Sequence, residues 1–146
     1  MRRFAVLFLV IGTMLAITSA ALAGGRTFTT TLAGVAEAPD PGDPDGSGEI
    51  SLTINPGTRQ VCYDLHVEGV APILAGHIHE AAVGVAGGVV VDLMLTPESF
   101  DADGDASACV TAERSVLIGI MQDPAGYYVN VHNVEYPGGA LRGQLG

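Results

Sequence analysis

Between Thr27 and Leu145 no apolar run is more than a few residues long, and nearly every run is closed by glycine, proline, aspartate or asparagine. Such punctuation leaves room for short strands and turns and little room for long amphipathic helices. Within the runs the period is two. From Arg59 to Val67, Val61, Tyr63 and Leu65 take one face while Cys62, Asp64 and His66 take the other, the alternation of a half-buried strand. The same reasoning predicts strands at Thr27 to Gly34, Glu49 to Ile54, Ile73 to Glu80, Val89 to Leu95, Ala106 to Thr111, Tyr127 to Asn133 and Ala140 to Leu145. Asn55-Pro56-Gly57 and Pro137-Gly138-Gly139 read as turns. Ala38 to Gly48 reads as an irregular Pro/Asp/Gly loop. Only Glu113 to Gln122 has helical spacing, in Val116, Leu117, Ile120 and Met121, and Asp123-Pro124-Ala125-Gly126 closes it. The expectation is an all-β fold: an antiparallel β-sandwich or barrel of about eight short strands with one short helix.

The first residues follow different rules. Met1-Arg2-Arg3 is basic, Phe4 to Ile17 is apolar, and Ala21-Leu22-Ala23 is an A-x-A cleavage site. This reads as a signal peptide over residues 1–23, released after Ala23, and the apolar run is short for a span of ~20 residues. Residues 24–146 then form a single domain in a secreted, periplasmic or cell-envelope setting, with no membrane attachment after cleavage. Removing Arg2 and Arg3 leaves four arginines against all sixteen acidic residues, a net charge of −12, and the chain has no lysine. That balance repels nucleic-acid phosphate and anionic lipid, excludes Schiff-base chemistry, and favours cations or a basic extracellular protein or surface component as partners. Cys62 and Cys109 are the only cysteines. In an oxidising compartment an even pair in a small domain reads as a disulfide, with thiolate metal ligation as the rival reading.

His77-Ile78-His79 is the sharpest chemical feature. In a strand, residues two apart share a face about 7 Å apart, so two imidazoles can reach one ion. Near the C-terminus Val129 and Val131 take the core face, which puts Tyr128, Asn130 and His132 on the other. In the last strand Arg142 and Gln144 alternate with Leu141, Gly143 and Leu145. The functional reading is a metal site of His77, His79 and His132, with His66 or Glu80 as a fourth ligand. Asn130, Arg142, Gln144 and Glu80 would be its polar-face partners, and Cu(II) or Zn(II) suits such histidine sites. The competing reading is structural, with these groups hydrogen-bonding across a sheet to fix its register. Asp43 to Glu49 and Asp101 to Asp105 each carry D-x-D-G, an oxygen-rich pattern calcium can use. Neither completes an EF-hand loop, and turn residues are the simpler reading. No G-x-S-x-G or H-E-x-x-H is present.

Leu32-Ala33-Gly34, Ala75-Gly76-His77-Ile78-His79, Gly87-Gly88-Val89-Val90, Tyr128-Val129-Asn130-Val131-His132 and Pro137 to Leu145, in this order, resemble a CHRD domain, the module of chordin that also stands alone in secreted bacterial proteins. The resemblance spans nearly all of residues 24–146. It implies an all-β fold and an extracellular setting, and it implies no established catalytic activity. The family's usual glutamate two residues before the arginine is replaced here by Ala140. A second, local likeness joins Gly76 to Glu80 to the copper-binding H-V-H-E segment of Cu/Zn superoxide dismutases. No histidine lies between Glu80 and Cys109, so a dismutase-type zinc subsite is absent. The functional expectation is a secreted CHRD-type binding or structural module without catalysis. The alternative is a copper-binding protein with redox or dismutase-like activity, and calcium-dependent adhesion through the acidic loops ranks below both.

Overall fold

The computed structural model describes residues 25–70 and 72–146; the expected signal segment, residues 1–23, lies outside them. The strands are β1 (Arg26–Ala33), β2 (Ser47–Asn55), β3 (Gln60–Glu68), β4 (Ala75–Glu80), β5 (Gly88–Asp92), β6 (Asp105–Thr111), β7 (Tyr127–His132) and β8 (Leu141–Gln144), with one helix, α1 (Arg114–Gln122), between β6 and β7. All eight strands join one sheet in the order β5-β4-β7-β8-β1-β2-β3-β6, and each neighbouring pair is antiparallel. Of the two architectures expected, the sheet takes the barrel, curling on itself without quite closing.

Period-two alternation drives the curl, because one face of every strand is apolar and must leave water. Phe28 and Leu32 of β1, Ile50, Leu52 and Ile54 of β2, and Val61, Tyr63, Leu65 and Val67 of β3 point inward. Ile78, Val91, Ala106, Val129, Val131 and Leu141 complete the same cluster from the remaining strands. Burying each large side chain of this kind contributes roughly 1.5–3 kcal/mol before chain entropy is charged against it. The helix adds Leu117 and Ile120 to the core, with Val116 and Met121 partly buried beside them. Its last turn meets the start of β1, where Arg26 donates to the Met121 carbonyl. β8 lies so close to β1 that a Cβ on Gly143 would strike the Thr31 carbonyl oxygen, so glycine is needed there.

Two departures from the expected strand limits have local causes. Ile73 and Leu74 precede the ladder, and Leu74 N–H reaches the His132 carbonyl as the chain enters β4. β5 stops at Asp92 because Met94 adopts φ 56° and turns the chain away, its N–H donating to Asp92 Oδ1.

Cys62 and Cys109 are register partners on β3 and β6 and form the expected disulfide. It clips an edge strand to its only neighbour. The other edge is β5, and no backbone hydrogen bond joins β5 to β6. A groove of about 640 Å³ separates them, with Val90 and Leu93 on one side and Ala108 and Val110 on the other.

Candidate metal centre

Because the inner faces of β4, β7 and β8 fill the barrel, their outer faces must carry the intervening residues. The strand order places these three strands side by side, so the polar faces read from the sequence meet. In register, His77 lies opposite Asn130, His79 opposite Tyr128, and Ala75 opposite His132; across the next ladder Asn130 meets Arg142 and Tyr128 meets Gln144. This outer face is not washed by solvent. His79, Tyr128, Asn130 and Arg142 are all buried, with the β4–β5 connection bonded to His79 and Arg142, Glu37 bonded to Asn130, and Pro137 bonded to the neighbouring His132.

His77, His79 and His132 converge, one ring nitrogen from each lying within 4.8 Å of the others. His77 and His79 rings meet edge to face at 5.6 Å, and His77 and His132 at 5.0 Å. His132 Nδ1 is 3.0 Å from the Pro137 carbonyl, and His79 Nδ1 is 3.0 Å from the Gly87 carbonyl. A carbonyl oxygen only accepts, so both rings carry their proton on Nδ1 and present Nε2 as a lone pair. His132 Nε2 accepts from His77 Nδ1 at 3.1 Å. His79 Nε2 is buried and has no hydrogen-bond partner at all, a condition that costs free energy in a protein interior and calls for an explanation. Burial is the main cause that pushes the His77 and His132 pKa values down, and the neighbouring imidazoles add to it. Both rings are thereby kept neutral, the form that ligates metal.

Around the imidazoles lies a supporting layer. The Tyr128 ring stacks on His79 at 4.8 Å and 9°, and the Arg142 guanidinium lies 3.4 Å over the Tyr128 ring. Arg142 donates to the carbonyls of Ala82 and Val85, and Gln144 donates to those of Ala81 and Ala125. Asn130 donates to Glu37, whose pKa is raised by burial against the opposing pull of that bond and of the Arg142 charge. Glu37 thus supplies the carboxylate near the arginine that Ala140 cannot.

Other expected partners lie elsewhere. His66 is on β3, hydrogen-bonded to Asp105 and paired with Glu68, and does not join the three histidines. Glu80 accepts from Tyr127, on the face opposite His79, and is exposed. Neither is positioned as a fourth ligand. The acidic loops satisfy their own backbones: Asp101 Oδ1 accepts from Asp103 and Asp105 N–H, and Asp43 Oδ1 from Asp45 N–H. Among the described residues, the only group of three or more histidine, cysteine or acidic side chains able to share an ion is the histidine triad. The carbonyls of Gly87 and Pro137, which set the tautomers, escaped the sequence reading, because a backbone acceptor leaves no trace in residue type.

The CHRD domain family model matches residues 28–145. Searches of curated proteins and of solved structures gave no match. Among the described residues, no helix is long and apolar enough to cross a membrane.

Proposed function

The chain belongs to the CHRD domain family, and from that premise we propose that it is a secreted binding module whose ligand at His77, His79 and His132 is a copper ion. The observation that carries the reading is the buried, partnerless Nε2 of His79, in a cluster where the Nδ1 atoms of His79 and His132 both donate to backbone carbonyls. Metal-ligating histidines characteristically use the second ring nitrogen to donate to such an acceptor. Secretion is supported by the signal-peptide pattern of residues 1–23 and by the Cys62–Cys109 disulfide.

Copper is favoured over zinc by intrinsic affinity, since nitrogen donor sites hold Cu²⁺ more tightly than Zn²⁺. One ring nitrogen from each of the three histidines would hold the ion, and these nitrogens lie within 4.8 Å of one another. A bound ion would take the place of the His77–His132 hydrogen bond, and His77 would then carry its proton on the other ring nitrogen. Three imidazoles and no carboxylate or thiolate make a site for holding copper, and nothing in this reading requires turnover.

Equilibrium dialysis of tag-free residues 24–146 against Cu²⁺ and Zn²⁺ tests the reading. Wild type should retain one copper per chain in preference to zinc, and the His77→Ala/His79→Ala variant, with its disulfide and melting transition intact, should retain none. Equal copper in both proteins would refute it.

A further inference from the structure

Among the described residues Arg142 is the largest fully buried side chain, and it is charged. Burying a guanidinium costs several kcal/mol unless it is fully partnered. The barrel core lies on the opposite face of β8, so the fold does not need a cation at this position. What Arg142 does touch is specific. Its Nη1 donates to the Val85 carbonyl at 2.9 Å and its Nη2 to the Ala82 carbonyl at 3.0 Å, pinning the β4–β5 connection at two points. Its plane covers one side of Tyr128, and β7 lies between β8 and β4, so the other side of that ring faces His79. Tyr128 Oη accepts the Gly87 N–H at 3.1 Å, and the Gly87 carbonyl takes the His79 proton. Both features that define the His79 ring, the plane it lies against and the acceptor that fixes its tautomer, therefore depend on contacts that run back to Arg142.

We propose that Arg142 is a positioning residue of the metal site. It holds the β4–β5 connection and Tyr128 so that His79 presents Nε2 to the ion. The inference deepens the copper reading and rests on it, but its structural half can be read without metal. A lysine has no fork: it can keep the charge yet cannot hold two carbonyls while stacking flat on a ring. Outer partners of metal-bound histidines typically govern affinity by 10–100-fold.

The test compares wild type with Arg142→Lys and Tyr128→Phe. The second variant keeps both stacks and removes only the acceptor for Gly87, which guards against a lysine variant that fails to fold. In metal-free protein, ¹⁵N NMR of the His79 ring should show a fixed Nδ1–H tautomer in wild type and an averaged one in Arg142→Lys. Tyr128→Phe should fall between them. With copper, affinity should drop 10–100-fold in Arg142→Lys, and the absorption and EPR parameters of bound Cu(II) should shift. A wild-type His79 tautomer in both variants would overturn the proposal, whether or not copper binds. Failure of wild type to bind copper would overturn the copper reading, and the NMR comparison would still decide the positioning role.

Discussion

Replacing His79 by phenylalanine separates what the ring does for the fold from what its nitrogen does for the ligand. Phenylalanine keeps a flat ring to stack on Tyr128. It removes Nε2, which is buried without a partner, and relief of such a group is worth about 1–3 kcal/mol. It also removes the donor to the Gly87 carbonyl. That bond is worth about 1 kcal/mol, and Gly87 is only half-buried, so water can take the place of the donor. The metal-free variant should therefore be as stable as wild type or more stable, by up to about 2 kcal/mol. With copper the order reverses. Ligand at 1,000 times its Kd stabilises the native state by about 4 kcal/mol. For a domain of this size that corresponds to roughly 12–20 °C in Tm. Thermal unfolding with and without Cu²⁺ measures both effects. Wild type should gain the full shift and His79→Phe almost none. A metal-free variant destabilised by several kcal/mol would show that His79 is a structural hydrogen-bonding group. An undiminished copper shift in the variant would show that copper sits elsewhere.

Removing the disulfide by Cys62→Ser/Cys109→Ser should cost about 4 kcal/mol on the loop-entropy estimate, read as a lower denaturant midpoint. Copper binding should persist, because the disulfide joins β3 to β6 and the histidines stand on β4 and β7. In metal-free protein an NMR titration should split the histidines by sign. His77 and His132, pushed down by burial, titrate below the usual value of about 6.5, while His66, raised by Asp105 and Glu68, titrates above it. The consequence for stability is opposite in the two cases. The depressed pair lowers stability as pH falls from the unfolded pKa through the folded values. The His66 contribution is full below the unfolded pKa and is lost as pH rises through its folded value. A His77 or His132 midpoint above 6.5 would contradict the burial argument.

Much of this architecture is legible in the sequence, because every strand has one face that must be apolar. The alternation at Val61, Tyr63 and Leu65 identifies the inner face of β3 without knowing its neighbours. The cysteine pairing also follows from composition and compartment. Strand order is different: it depends on how eight similar segments nest, and only the structure shows that β4, β7 and β8 are adjacent. That adjacency brings His132 to His77, and it leaves His66 and Glu80 outside the cluster, although all four side chains are equally plausible ligands by type. Glu37 carries no signal of its own as a site residue in the sequence. Its role beside Asn130 and Arg142 needs a loop far away in sequence to fold over the outer face. The open seam between β5 and β6 has no sequence signature either, since both edges carry ordinary strand residues.

The most direct test of the central claim is the first coordination shell of copper in tag-free residues 24–146, measured by X-ray absorption and EPR after dialysis to constant metal content. One copper per chain, held by three imidazole nitrogens at about 2.0 Å, is the result predicted. No copper surviving dialysis, or a shell dominated by carboxylate oxygen and unchanged by His77→Ala/His79→Ala, would contradict it.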